Sequence, residues 1–313
     1  MGYKLIYLDN NATTPIDEDV KKVISDAFEI FGNPSSSHIY GIEARKLIEK
    51  ARADVANLIG AEPSEVYFTS GGTESNNLAI IGTAYKYKRG HIITSVIEHP
   101  SVFNVVKWLE SNGFEVDYLP VDSYGIVDPD DIKRAIRKDT ILVTIMHSNN
   151  ETGVLQPIKE IGKILKELNI PFHTDAAQSV GKIDVNVSEL MVDMLTIVSH
   201  KFYGPKGVGA IYIKKGLNIM PIMFGAGHEK GIRPGTENVI SISGFGKACE
   251  LAYINMQERF KNSILLRERL YELLKSNLDL RLNGHYSLRL PNTLNISIKN
   301  IIGEDIVFTL KDR

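Results

Sequence analysis

From Val66 onward, short apolar runs alternate with segments whose apolar residues recur at helical spacing. The runs are Val66–Thr69, His91–Ser95, Ile141–Ile145, Pro171–Thr174 and Met194–Val198. They are rich in β-branched and aromatic residues and end in small or polar ones, as strands do. Between them, Ile158, Ile161, Ile164, Leu165 and Leu168 fall on one face of a helix. This repeated strand–helix order predicts an α/β protein with a mostly parallel sheet covered on both faces. Val208–Ile213, between two glycine-containing turns, adds a strand of either direction.

The flanks read differently. Asp17 caps a predicted helix carrying Val20, Val23, Ile24, Ala27 and Phe28, which stops at Gly32-Asn33-Pro34. A second helix runs from about Ile42 to Ile59 and ends at Gly60. Beyond Asn238 a long helical stretch leads to a strand-like Thr293–Ile298. The expected division is a large domain over residues 15–250 and a smaller α/β domain from residues 1–14 and 251–313.

Composition narrows the partners. Of 313 residues, 36 are Lys or Arg and 38 are Asp or Glu, so the net charge of -2 leaves no basic footprint for nucleic acid or an acidic membrane surface. A small-molecule partner is expected. No apolar run reaches membrane-spanning length, and the first residues are too weakly apolar for a signal peptide. The single cysteine, Cys249, rules out an internal disulfide and suits a reducing compartment, so a cytoplasmic protein is expected.

In an open parallel α/β sheet, ligands bind beyond the carboxyl ends of the strands. Polar residues follow all five runs: Gly71-Gly72-Thr73, His99, Asn149-Asn150, Asp175 with Gln178, and His200-Lys201. The Gly72-Thr73 turn, placed before a helix starting about Ser75, suits a phosphate at a helix N-terminus. Taken alone it equally fits a tight turn capped by Thr73. Asp175 reads as a helix cap or as a buried carboxylate needing a cationic partner, for which a pyridinium nitrogen serves. Lys201 reads as a solvated lysine or, beside Gly204-Pro205-Lys206-Gly207, as a lysine brought close to a ligand. A Schiff-base lysine and an acid on the pyridine nitrogen are the pair that pyridoxal 5'-phosphate (PLP) requires. His99 could stack on such a ring and exchange protons, while Asn150, Gln178 and Ser199 could bond a phenolate or phosphate oxygen. His147, His173 and His228 read as structural, and no histidine spacing suggests a metal.

Together the segments Tyr7–Pro15, Gly32–Ser36, Thr69–Asn77, Glu98–Pro100, Asn149–Gly153, Asp175–Gln178, His200–Gly207 and Arg233–Asn238 resemble class V aminotransferase-fold PLP enzymes. The likeness is to cysteine desulfurases of the NifS and IscS type. The resemblance implies the PLP-transferase, aspartate aminotransferase-like fold. It implies that Lys201 carries the cofactor, Asp175 pairs with the pyridine nitrogen, His99 stacks on the ring, and Asn150 and Gln178 address its substituents. Gly72, Thr73, Ser199 and His200 would lie at its phosphate, joined by Thr236 from across the interface of a homodimer. The implied reaction converts L-cysteine to L-alanine and leaves a protein persulfide, whose sulfur goes to an acceptor such as an iron–sulfur scaffold or to thio-cofactor assembly. A selenocysteine lyase, another class V aminotransferase and a non-catalytic PLP-binding scaffold are the competing readings.

Two departures from the family pattern stand out. The usual serine three residues before the lysine is Val198, with serine at Ser199 instead. The family's loop cysteine beyond Leu290–Ser297 and its substrate-carboxylate arginine are not in the sequence, which is expected to be a truncated chain. Cys249 does not replace that cysteine, because its helical setting predicts a buried, inert thiol.

Overall fold

A computed structural model describes residues 6–311; residues 1–5 of the expected N-terminal segment, and 312–313, lie outside them. α1 (Glu18–Ala27) is capped by the Asp17 carboxylate, and α2 (Ile39–Ile59) ends on Gly60 at a φ of 65°. There follow β1 (Val66–Thr69), α3 (Gly72–Tyr87), β2 (His91–Ser95), α4 (Pro100–Ser111), β3 (Glu115–Leu119), α5 (Pro129–Ala135) and β4 (Thr140–Thr144). Next come α6 (Ile158–Glu167), β5 (Phe172–Asp175), α7 (Val187–Leu190), β6 (Met194–Val198), β7 (Gly209–Ile213) and α8 (Val239–Lys275). β8 (Leu280–Leu282), β9 (Ile296–Ile298) and α9 (Gly303–Leu310) complete the described chain.

Seven strands form one sheet in the order β1-β7-β6-β5-β4-β2-β3. β7 is antiparallel to both its neighbours, and the remaining pairs are parallel. Successive strand residues enter opposite cores. Ile93, Val143, Leu195 and Tyr212 pack with α2, α6 and α8 residues such as Val55, Ile161 and Phe245. Ile92, Leu142, Met194 and Ile211 pack on the other face with Leu78, Ile80, Val105 and Leu109 of α3 and α4. Both faces being covered, the central strands read as continuous apolar runs rather than alternating ones.

Sequence and structure differ at the end of α1 and at two strands. α1 stops at Ala27, well short of Gly32, because the amides of Phe28, Glu29 and Ile30 turn to carbonyls three residues back. β3 and β8 come from segments without an apolar run, and β8 pairs antiparallel with β9 in a separate two-stranded sheet. The expected boundary at residues 250–251 falls inside the continuous helix α8. No helix among the described residues is long and apolar enough to cross a membrane.

Candidate active site

The parallel strands deliver their polar ends to one cavity of about 270 Å³ at the carboxyl edge of the sheet. Gly72, Thr73, His99, Asn150, Asp175, Gln178, His200 and Lys201 line it, together with Asn76, Ser101, Met146, Ser148, Ala177 and Val198. Ser199 and Thr236 are not on this wall. Ser199 is fully buried with its hydroxyl unpartnered, and a Cβ built on Gly204 would lie 2.1 Å from that Oγ. The side chain reaching the cavity from this corner is Val198. Thr236 is exposed on the loop between β7 and α8.

Lys201 follows β6 in a single 3-10 turn, Ser199–Lys201. Its Nζ donates to the main-chain carbonyls of Asn11 at 2.7 Å and Ala12 at 2.9 Å. Burial lowers its pKa from the usual lysine value, against the pull of Asp175 and Asp9. The N-terminal segment thus matters more than its motif suggested. The Asn11 carbonyl also accepts from Gln178 Nε2 at 2.8 Å, and its amide reaches the Asn150 carbonyl and Thr293 Oγ1. Asn292 Nδ2 donates to Asn11 Oδ1 at 3.0 Å. Lys182, unremarked in the sequence, donates to Gln178 Oε1 at 2.7 Å, and burial beside Lys201 pulls it down to about 7.

Asp175 ends β5, buried in the cavity wall. Its Oδ1 accepts from the Ala177 amide at 3.0 Å and its Oδ2 from Asn76 Nδ2 at 2.7 Å. Behind it lies Glu98, whose Oε1 accepts from Ser95 Oγ at 2.6 Å and the Met146 amide at 3.0 Å while Oε2 has no partner. Burial, with Asp175 near, pushes Glu98 up to about 8 despite those two donors. Near neutrality Glu98 is therefore mostly protonated.

On the opposite side, Gly72 and Thr73 open α3, whose N-cap is Gly71 rather than Thr73. First-turn amides have no intrahelical acceptor, so this end offers N–H groups to an anion. Glu74 clamps the turn: it accepts from the Ser70 amide at 2.7 Å and pairs with Arg233 at 2.8 Å. Burial raises Glu74, but these donors outweigh it and hold it below the usual carboxylate range. His200 Nδ1 meets Thr13 Oγ1 at 3.1 Å, and burial beside the Lys201 and Lys206 cations lowers it to about 4. The loop bearing Thr236 is tied down by Glu229, which takes Arg52 in two bonds of 2.8 Å and the Phe68 amide in a third.

His173 and His147 are buried in the core of the sheet region. His173 lies between Thr144 and Thr196 and burial lowers it to about 3; His147 falls to about 4 for the same reason. The described residues contain no cluster of three metal-ligating side chains. Cys249 is fully buried in α8 and its thiol is raised well above the ordinary value by burial and by Asp54.

The donor set fits PLP. Asp175 faces the cavity held by two neutral N–H groups and forms no ion pair among the described residues, which leaves it able to take a protonated ring nitrogen. An amine, Lys201, and a helix end that offers N–H groups to an anion line the same cavity.

Comparison with known proteins agrees. A family model described as Aminotransferase class-V matches residues 6–313. The cysteine desulfurase IscS of Dictyoglomus turgidum is 52% identical over 309 residues, covering 97% of this chain and 78% of that protein. Among solved structures, a NifS-like protein superposes with a TM-score of 0.95 at 41% identity, covering 98% of this chain and 86% of the other. SspA in complex with cysteine gives 0.87 at 38% identity, covering 98% and 87%. The chain belongs to the class V aminotransferase family of PLP enzymes, among the cysteine desulfurases of the IscS and NifS type.

Proposed function

We propose that the protein uses PLP to take the sulfur from L-cysteine, releasing L-alanine and passing the sulfur atom to a thiol as a persulfide. The observation that carries the proposal is the meeting of Lys201, Asp175 and His99 with the N-terminus of α3 in one cavity. When bound, PLP supplies an electron sink for the substrate's α-carbon. Lys201 is the attachment point, and its lowered pKa suits an amine that gives and takes the α-proton. Asp175 holds the ring nitrogen protonated, and Gln178, its amide oriented by Lys182 and the Asn11 carbonyl, addresses the ring oxygen with Asn150. Gly72, Thr73 and His200 hold the phosphate. In this reading Thr236 reaches the phosphate of a second copy, so the active form is a homodimer. Ser199 leaves the phosphate set, its hydroxyl being turned to Gly204.

The sulfur-accepting thiol is not Cys249, which is both buried and held protonated. The transfer balances as cysteine plus thiol giving alanine plus persulfide. A cytoplasmic setting and delivery to a sulfur-acceptor protein, such as an iron–sulfur scaffold, complete the proposal.

The test supplies PLP, L-cysteine and excess dithiothreitol as the thiol. Alanine and sulfide in equal amounts are expected. A cofactor absorption band with no alanine would instead identify a PLP-binding scaffold, and turnover confined to selenocysteine would identify a selenocysteine lyase.

A further inference from the structure

Asn76 is fully buried in the second turn of α3, where a polar side chain needs a reason. Its Nδ2 donates to Asp175 Oδ2 at 2.7 Å and to Ser101 Oγ at 2.8 Å, using both amide hydrogens. Bonding to a carboxylate fixes which end of the amide is nitrogen. Ser101 Oγ, having accepted from Asn76, lies 2.7 Å from His99 Nδ1, and the Ser101 amide lies 3.1 Å from the same nitrogen. A backbone amide can only donate, so Nδ1 carries no hydrogen and the neutral ring is protonated on Nε2. His99 Nε2 has no hydrogen-bond partner among the described residues, and the ring lines the cavity.

We propose that Asn76 is a positioning residue: by donating to Asp175 and Ser101 together, it fills one acceptor site of the Ser101 hydroxyl and favours its donation to His99 Nδ1, adding to the Ser101 amide, which keeps His99 in its Nε2–H form. The group meeting the ring nitrogen and the group stacking on the ring are thereby linked through one amide. His99 then offers the cavity an N–H donor rather than a lone pair. This consequence rests on the PLP reading, but the tautomer itself does not.

The experiment reads the tautomer directly, by long-range proton–nitrogen NMR of the cofactor-free and PLP-loaded protein, with His99→Gln assigning the signal. The pH is set well above the ordinary imidazole value of about 6.5, so that the neutral ring is observed. The wild-type ring is expected as Nε2–H. Ser101→Ala removes one of two donors to Nδ1 and should lower the tautomer ratio roughly fivefold, the effect of one net hydrogen bond. Asn76→Asp keeps the shape and shares one proton with Asp175, since two carboxyls this close cannot both ionise, but it has no donor left for Ser101. Its carboxyl takes the Ser101 hydroxyl hydrogen, so the ratio should fall at least as far. An Nδ1–H ring in the wild type, or an unchanged ratio in either folded variant, overturns the proposal. Neither cysteine nor turnover enters this measurement, so failure of the desulfurase reading shows separately, as absent alanine.

Discussion

Replacing Glu98 with Gln tests whether a proton is stored behind the active site. In the folded protein the carboxyl is pushed from 4.5 to about 8 by burial, with Asp175 adding to the shift. Between these values the native state binds a proton that the unfolded chain has released. Stability therefore falls as pH rises through this window. The shift of about 3.5 units corresponds to roughly 5 kcal/mol in full, of which about 3.5 kcal/mol is lost between pH 5 and 8. Other groups titrate too, notably His147 and His173, so the informative quantity is the difference between wild type and Glu98→Gln. Gln keeps an acceptor for Ser95 and Met146 but cannot ionise. The variant should gain on the wild type by about 3.5 kcal/mol between pH 5 and 8 in urea unfolding. A difference that stays flat across this range, or runs the other way, would show that Glu98 is ionised in the native protein.

Two further substitutions test the packing around the site. A Cβ on Gly72 would lie 2.7 Å from Val198 Cγ2, so Gly72→Ala should cost about 1–3 kcal/mol through overpacking. Adding Val198→Ala should recover part of that cost, and strict additivity in a double-mutant cycle would refute the contact as its cause. Glu229→Gln leaves the Arg52 guanidinium charged and buried. Because Glu49 still faces it at 3.2 Å, the loss should sit at the low end for a broken buried pair, about 3 kcal/mol. A drop below about 1 kcal/mol in denaturant unfolding would mean that solvent reaches Arg52.

How legible the molecule was depended on burial. The central strands lie between two helical layers, so their apolar runs stand out in the sequence. β3 sits at the sheet edge and alternates Glu115, Val116, Asp117, Tyr118, a pattern that no apolar run announces. β8 is three residues long and pairs only with β9. The residues ending strands, Asp175 and Lys201 above all, could be picked out because topology sends strand ends to one place. Asn76 and Glu98 could not, since a polar residue in a helix or turn usually faces water. A signal did exist for Asn76: Ala79, Ile80 and Thr83, three, four and seven residues on, share its helix face and are buried with it. The Asn11 contacts carried no comparable signal, because their partners, Asn150, Gln178, Lys201, Asn292 and Thr293, lie far apart in the chain and no periodicity links them to Asn11.

Asn11 has a consequence of its own. One residue holds the Lys201 amine and Gln178 through its carbonyl, and Asn292 and Thr293, just before β9, through its side chain. Asn11 is therefore the place where releasing the amine and shifting the β9 approach would be coupled, and linkage requires any such coupling to be equal in both directions. A ligand that draws Lys201 off the Asn11 and Ala12 carbonyls, if it shifts Asn11, would be felt at the two-stranded sheet, and a strain on that sheet would act on the amine to the same extent.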